Sequence, residues 1–264
     1  MPRVTYRIET EKFGTVPLVV DERGDGRPFL LLHPGAGPAS MGVFAERLAD
    51  RAQARVIVPT HPGFALTERP DALSDIAGLA HLYAAFLDEL ALDDVTVIGN
   101  SIGGWIAAEL GLLGTPWVRR LVLVDAVGLD VPGHPVTDVS GMAPPEIMQH
   151  AFHDPAPFLQ DPASLSEADR AALAGNQSAL GVYAPVMTDP SLDERLPELE
   201  IPVLVIWGAS DGIVDPAVGR AYAEAIPISK FVLLVDTGHM PQLESPELVL
   251  DALLNTGDDA AAAA

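Results

Sequence analysis

A serine lies between small residues at the end of a short apolar run. Residues 95–98 are followed by Gly99-Asn100-Ser101-Ile102-Gly103, and a helical pattern begins near Ile102. A Gly-x-Ser-x-Gly turn between a buried strand and a helix allows a strained backbone that exposes the serine hydroxyl. The same spacing also arises by chance in glycine-rich turns. Its position at a predicted strand-to-helix junction favours Ser101 as a nucleophile.

A serine hydroxyl is a weak nucleophile unless a base removes its proton and a carboxylate orients that base. Later in the chain, Asp211 follows the apolar run that ends at Trp207-Gly208, and His239 follows the last apolar run. The order serine, aspartate, histidine is the one found in hydrolases built on this turn. Asp215 and Asp125 also follow strands and stay open as alternative acids.

These side chains need a scaffold, and the apolar pattern predicts an α/β fold. Short apolar runs bounded by Gly, Pro or Asp indicate strands buried on both faces of a parallel sheet. They occupy residues 29–32, 56–58, 95–98, 121–124, 203–207 and 231–235. Helical patterns alternate with them at 41–52, 75–90, 102–113, 216–225 and 246–254. Two earlier runs, 4–8 and 16–20, indicate an antiparallel edge of the same sheet.

The carboxyl ends of parallel strands meet at one edge of a sheet, where open α/β sheets bind their ligands. Ser101, Asp211 and His239 each follow a predicted parallel strand. We therefore expect the three side chains to lie on one rim.

The alternation of predicted strands and helices stops between the run at 121–124 and the run at 203–207. Short helical patterns at 144–151 and 166–174 replace it, with enough apolar side chains to argue against a disordered linker. We predict a core at 1–127 and 199–256, a helical cap at 128–198 and a disordered tail at 257–264. Four apolar cap residues are expected to line a substrate pocket: Met142, Met148, Phe152 and Met187.

Charge and composition exclude several classes of function. The 264 residues carry 15 Lys+Arg against 37 Asp+Glu, a formal net charge of −22 that repels nucleic-acid phosphates and anionic membrane surfaces. The absence of cysteine removes disulfides and thiolate sites. Since the N-terminus lacks an apolar signal core and no apolar run reaches about 20 residues, we expect a cytoplasmic protein without a membrane span.

Two further motifs surround the proposed acid and base. Trp207 to Pro216 reads Trp-Gly-x-x-Asp-x-x-Val-x-Pro, and Gly238 to Pro246 reads Gly-His-x-Pro-x-x-Glu-x-Pro. Together with the serine turn they resemble the α/β-hydrolase superfamily, from about residue 4 to about residue 255. The resemblance implies an eight-stranded, mostly parallel sheet with helices on both faces and a helical cap after strand six. It also implies a small-molecule substrate and no metal or organic cofactor.

An acyl-transfer site also needs two backbone N–H groups directed at the oxyanion. One is expected from Ile102, directly after the serine. The other is expected from Gly35 or Ala36, in a loop that resembles the His-Gly-x loop of the family. Pro34 departs from that pattern because it stands where glycine is usual and has no N–H.

Three functions stay open. The first is hydrolysis of a small or medium ester or related acyl compound. The second is carbon–carbon bond hydrolysis of ring-cleavage products, to which the Gly-Asn-Ser-x-Gly-Gly stretch is similar; Leu243, however, stands where those enzymes usually carry an aromatic residue, and only Arg170 and Arg195 offer a cap arginine for a substrate carboxylate. The third is a ligand receptor that retains the triad with little turnover. Lyase and cofactor-free peroxidase chemistry also occur on this scaffold.

Four other histidines are interpreted as structural. His33 is expected to orient its own loop, and His61 to lie in a turn near the site. His150 and His153 lack the spacing of a metal motif and are expected on a polar helix surface, so we predict no metal. Glu244 is expected to support the loop behind His239.

Overall fold

The computed structural model describes residues 3–139, 141–159, 161 and 164–256. The predicted tail at 257–264 lies outside these described residues. A single eight-stranded sheet organises the chain, with the strand order β1-β2-β4-β3-β5-β6-β7-β8. The strands are β1 Arg3–Thr10, β2 Gly14–Arg23, β3 Arg27–Leu32, β4 Ala54–Pro59, β5 Val95–Asn100, β6 Val118–Val124, β7 Val203–Gly208 and β8 Ser229–Leu234.

The sheet confirms the predicted α/β fold. Strands β3 to β8 run parallel, while β1 pairs antiparallel with β2 and β2 pairs antiparallel with β4. The central strands β5 and β7 are buried along their whole length. Full burial explains their continuous apolar sequence, because both faces of a central parallel strand are covered by helices.

Helices cover both faces of the sheet. They are α1 Gly42–Ala52, α2 Ile76–Leu90, α3 Ile102–Leu112, α4 Pro144–Ala151, α5 Glu167–Tyr183, α6 Leu192–Arg195, α7 Pro216–Ala225, α8 Pro241–Glu244 and α9 Pro246–Asn255. Side chains of α2, α3 and α7 form one core layer, and those of α1 and α9 form the other. Alternate residues of β3 enter opposite layers, Leu30 and Leu32 into the first and Phe29 and Leu31 into the second, as the two-residue period of a strand requires.

Helices α4, α5 and α6 lie between β6 and β7, in the cap segment. Helix α5 is longer than the predicted 166–174 because Ala179 and Tyr183 are buried and continue its packing face. Its start has a reciprocal cap, in which Ser166 accepts from the Asp169 amide and the Asp169 side chain accepts from the Ser166 amide. Within the described ranges, no helix has the length and apolar character needed to cross a bilayer.

Candidate active site

The turn after β5 holds Ser101 in a strained conformation. Its φ of 57° and ψ of −119° lie outside the regions that L-residues usually occupy. A Cβ on Gly99 would lie 2.0 Å from the Gly103 carbonyl oxygen, and one on Gly103 would lie 2.1 Å from the Leu32 carbonyl oxygen. Only glycine fits at these two positions, so the motif spacing follows from the close contact of β5, α3 and β3.

The loops after β7 and β8 bring an aspartate and a histidine together. His239 Nδ1 lies 2.8 Å from Asp211 Oδ2, and both side chains are almost fully buried. Asp211 Oδ1 accepts two further hydrogen bonds, from the Ile213 amide at 2.8 Å and the Val214 amide at 2.9 Å. Three N–H groups therefore fix the orientation of the Asp211 carboxylate. Since Asp211 engages Nδ1, the other ring nitrogen of His239 is left for a reacting group.

The alternative acid Asp215 has a different environment. Its carboxylate accepts from the Ala217 amide at 2.8 Å, at the start of α7, and lies 3.2 Å from His134 Nδ1. The Ala217 hydrogen bond and the His134 side chain lower the pKa of Asp215. Asp215 therefore caps a helix and pairs with His134, while Asp211 is the aspartate in contact with His239.

A polar link that the sequence analysis missed connects the serine turn to the histidine loop. Asn100 Nδ2 donates to the carbonyl oxygens of His239 and Val124, both at 3.1 Å. Gln242 Nε2 in turn donates to Asn100 Oδ1 at 3.0 Å. Because Asn100 directly precedes Ser101, this chain of bonds keeps the histidine loop next to the serine. Its sequence signal was an amide side chain inside the serine motif.

The end of cap helix α4 braces the loops of both side chains. The Ala151 carbonyl accepts from the His239 amide at 2.8 Å, and the His150 carbonyl accepts from the Gly212 amide at 2.9 Å. The cap is therefore bonded to the residue that follows Asp211 and to His239 itself.

Glu244 supports the histidine loop from behind, as expected. One carboxylate oxygen accepts from the Gly238 amide at 2.6 Å, and the other accepts from the cap amide of Asp154 at 2.8 Å. The nearby His153 is half-exposed and bonds Ser210 Oγ at 2.9 Å. It thus contacts the loop before Asp211 and is not a purely solvent-facing residue.

An apolar cluster lies next to His239. Phe152, Ala151 and Met240 form its buried part, and Phe152 stacks on Phe158 with ring centroids 4.4 Å apart. Met148 also packs against the cluster, so two of the four predicted pocket residues are in it. Met187 packs instead against the main core, where its carbonyl accepts from the Gly128 amide at 2.9 Å. Met142 is half-buried outside the cluster.

The loop after β3 has its carbonyl groups fixed. Pro34 O accepts from His33 Nδ1 at 2.8 Å and from the Gly37 amide at 2.9 Å. The N–H of a trans peptide points away from its carbonyl, so the Gly35 amide is directed opposite to Pro34 O. Among the described residues, the Gly35 and Ala36 amides have no protein acceptor. The amide of Ile102, the first residue of α3, has no partner within its helix.

His33 and His61 form a buried network under this loop. The His61 amide donates to His33 Nε2 at 3.0 Å, so His33 carries its proton on Nδ1, facing Pro34 O. His61 Nε2 bonds the His33 carbonyl oxygen at 2.9 Å, and its Nδ1 contacts the Tyr83 hydroxyl. Burial lowers the pKa of His61 to about 4 and that of His33 well below its usual value. Both rings are neutral and structural, as expected.

Asn176 of cap helix α5 makes hydrogen bonds to the same loop and to a neighbouring one. Its Nδ2 donates to the Ala36 carbonyl at 2.9 Å, and its Oδ1 accepts from the Ala65 amide at 2.8 Å. One turn further along α5, Leu180 packs against Gly35. The cap thus contacts the loop of Gly35 and Ala36 as well as the histidine loop.

Both arginines of the cap make hydrogen bonds within the protein. Arg195 makes a bidentate pair with Glu109, each bond 2.7 Å long, and contacts Asp189 at 2.7 Å. Arg170 donates to the Leu165 carbonyl next to the start of α5. Arg195 is therefore not a free partner for a substrate carboxylate, while Arg170 is exposed and its contact is with a backbone carbonyl.

One set of potential metal ligands occurs in the described ranges, and it coincides with this site. Oxygen atoms of Asp125 and Asp211 and a ring nitrogen of His239 lie within 4.8 Å of one another. Both oxygens of Asp211 already accept N–H groups, and one of them engages His239. This donor set is that of a hydrogen-bonded carboxylate–imidazole pair, and the absence of a metal stays a prediction.

Comparison with known proteins agrees with this fold. Residues 29–252 match the family described as "Alpha/beta hydrolase family". The chain is 27% identical over 240 residues to a 2-hydroxymuconate semialdehyde hydrolase of Pseudomonas putida, covering 86% of this chain and 85% of that protein. It is also similar to a thermophilic esterase from Thermogutta terrifontis, with a TM-score of 0.76, 26% identity and 97% of both chains covered. A bromoperoxidase from Bacillus anthracis, with a TM-score of 0.77, 22% identity, 96% of this chain and 99% of that chain covered, shares the fold.

Proposed function

Since the match over residues 29–252 places this chain in the alpha/beta hydrolase family, we propose that it is a serine hydrolase of a small or medium ester or related acyl compound. The observation that carries the proposal is the 2.8 Å bond between His239 Nδ1 and Asp211 Oδ2, on the rim that also holds Ser101. The pair supplies a base in a fixed tautomer, and the hydrogen bond from Asn100 to the His239 carbonyl ties its loop to the strained serine turn.

In the proposed mechanism Ser101 Oγ attacks the acyl carbon while His239 Nε2 takes its proton. The carboxylate of Asp211 stabilises the imidazolium that forms. The oxyanion is bound by the Ile102 amide and by the amide of Gly35 or Ala36, for which the described residues offer no competing acceptor. The imidazolium then protonates the leaving group, and a water activated by His239 hydrolyses the acyl-enzyme.

The surroundings favour an uncharged acyl group. The cluster of Phe152, Phe158, Met148 and Met240 offers an apolar wall next to His239. Arg195 is neutralised by Glu109 and Asp189, and the net charge of −22 opposes the approach of anions. A neutral ester therefore fits the site better than a substrate with a free carboxylate.

Carbon–carbon bond hydrolysis is the second candidate, because several relatives of this chain are hydrolases of that kind. The engaged state of Arg195 and the presence of Leu243 near the histidine weigh against it. A series of esters graded by acyl length, assayed beside a vinylogous diketone, separates the two activities.

The test of the nucleophile is covalent labelling with a fluorophosphonate. We expect one label per chain on Ser101, no label in Ser101→Ala and a loss of about 10⁴ to 10⁶ in kcat for that variant. Ser178→Ala, an exposed serine on cap helix α5, is the matched control and keeps both label and turnover. A label on another residue, or full turnover in Ser101→Ala, contradicts the mechanism. A labelled protein that cleaves neither substrate indicates the receptor alternative.

A further inference from the structure

The carboxyl group of Asp125 is buried next to the proposed acid and has no role in the mechanism above. Asp125 is the first residue after β6, has a left-handed φ of 45° and is fully buried. Its backbone N–H donates to Ile206 O at 3.0 Å, and its Oδ1 accepts from the Gly208 amide at 2.8 Å. Both contacts are with β7, directly before the loop that carries Asp211.

The second oxygen of this carboxyl group is unusual. Asp125 Oδ2 is buried and has no hydrogen-bond partner among the described residues. The titratable side chains grouped with Asp125 are Asp211 and His239: one carboxylate oxygen of each aspartate and one ring nitrogen of the histidine all lie within 4.8 Å of one another. An ionised carboxylate with an unpartnered oxygen in a buried site costs free energy, and a second carboxylate beside it adds repulsion.

The number of hydrogen-bond donors distinguishes the two aspartates. Asp211 accepts three N–H groups, whereas Asp125 accepts one. Burial, first, and the charge of Asp211, second, raise the pKa of Asp125 well above its usual value. A proton on Asp125 removes both costs, because the carboxyl group is then uncharged and can donate a hydrogen bond to Asp211.

We infer that Asp125 is a neutral carboxylic acid that positions Asp211 and is a reserve acid for His239. The inference rests on the proposed function, since it assigns His239 as the base. When Asp211 loses its charge, the repulsion between the two carboxylates is removed, and the imidazolium that forms on His239 offsets the remaining cost of burying an ionised Asp125. Asp125 then releases its proton to solvent, and its carboxylate pairs with the imidazolium in place of Asp211.

The test is a double-mutant cycle on kcat for an ester. Asp125→Asn alone keeps a donor toward Asp211 and an acceptor for Gly208, so we expect a loss of about 3-fold. Asp211→Asn alone is expected to lose about 10²-fold, less than the roughly 10⁴-fold typical of a triad without its acid. The double variant is expected to reach about 10⁴-fold, so that Asp125→Asn costs about 10²-fold in this background.

If Asp125→Asn lowers kcat by the same factor in the unmutated protein and in Asp211→Asn, Asp125 is not a reserve acid. A loss of about 10³-fold or more in Asp125→Asn alone also overturns it, because Asp125 would then be the ionised acid itself. Melting temperatures of all variants separate these results from unfolding. The activity of Ser101→Ala separates the failure of this inference from the failure of the proposed function. If Ser101→Ala is inactive, equal losses from Asp125→Asn in both backgrounds contradict only the reserve role of Asp125. If Ser101→Ala is active, both proposals are wrong.

A measurement on the unmutated protein covers the case in which Asp125→Asn does not fold. Infrared spectra of protein with carbon-13-labelled aspartate should show the carbonyl stretch of one protonated carboxylic acid at neutral pH. The absence of that band overturns the neutral state of Asp125.

Discussion

Replacing Asn176 by alanine tests whether the cap holds the loop of the proposed oxyanion amides. The side chain is 6% exposed and makes two hydrogen bonds, to Ala36 O and from the Ala65 amide. Its removal leaves both backbone groups without partners. At about 1 to 2 kcal/mol for each group, the expected loss of unfolding free energy is roughly 2 to 4 kcal/mol.

The catalytic effect is expected in kcat more than in KM. An oxyanion donor contributes mainly in the transition state, and loss of one such donor typically costs about 10² to 10³ in kcat. Because Asn176→Ala displaces the donor loop without deleting an amide, we expect a loss of about 10- to 100-fold in kcat with KM changed by about 3-fold or less. The assay is steady-state hydrolysis of a neutral ester, at a temperature at which circular dichroism shows the variant folded.

Two matched variants sharpen this experiment. Gln177→Ala, exposed on the same helix, should change neither stability nor kcat. Asn176→Asp keeps the acceptor for the Ala65 amide but cannot donate to Ala36 O when ionised, so it should lose kcat almost as strongly as alanine. A variant that melts lower but retains full kcat while folded would refute the link between the cap and the oxyanion loop.

Two further predictions concern the buried network and the cap arginine. Because the folded pKa of His61, about 4, lies below its unfolded value, about 6.5, neutral His61 contributes about 3 kcal/mol that is present above pH 6.5 and lost as the pH falls toward 4. Denaturant melts at several pH values should show this loss reduced in His61→Gln, and an unchanged pH slope would contradict it. Arg195→Met should lower the unfolding free energy by roughly 2 to 3 kcal/mol, since Glu109 loses its partner but Arg195 is one-third exposed. KM for a neutral ester should stay within about twofold, and a larger rise would show that Arg195 contacts substrate.

The strands could be predicted from sequence because burial on both faces requires continuous apolar residues. The predicted strands were too short where polar residues occupy the first positions of a strand. β6, for example, begins at Val118 and includes Arg119 and Arg120 before its apolar half. Pairing in a sheet uses backbone groups, so a strand continues past its apolar segment wherever a neighbouring strand is available.

Helix starts were less predictable, because the capping role depends on backbone geometry. Serine is a common N-cap residue, and Ser74 and Ser245 stand near the starts of α2 and α9. In the structure Asp75 caps α2 by accepting from the Gly78 amide at 2.6 Å, and Ser245 Oγ bonds Thr237 Oγ1 at 2.8 Å instead of capping α9. Both residue types can cap a helix, and tertiary contacts decide which one does.

Part of the candidate site could be predicted from the sequence, and part could not. The positions of Ser101, Asp211 and His239 at strand ends follow from chain order, because parallel strands bring their carboxyl ends to one rim. Asn176 gave no signal, since its partners are backbone groups of two loops more than 100 residues away in sequence. Contacts of that kind depend on how the cap packs, which no local pattern encodes.

The choice among three aspartates shows most clearly what tertiary structure adds. Asp125, Asp211 and Asp215 all follow strands, so residue type and position do not distinguish them. Their hydrogen-bond donors do. Asp211 accepts hydrogen bonds from two amides and from His239. Asp215 accepts one from an amide in the first turn of α7, and Asp125 accepts one from an amide in a fully buried site. Because donors stabilise charge and burial opposes it, the same side chain is suited to be a charged acid, a helix cap or a neutral proton donor according to the loop that surrounds it.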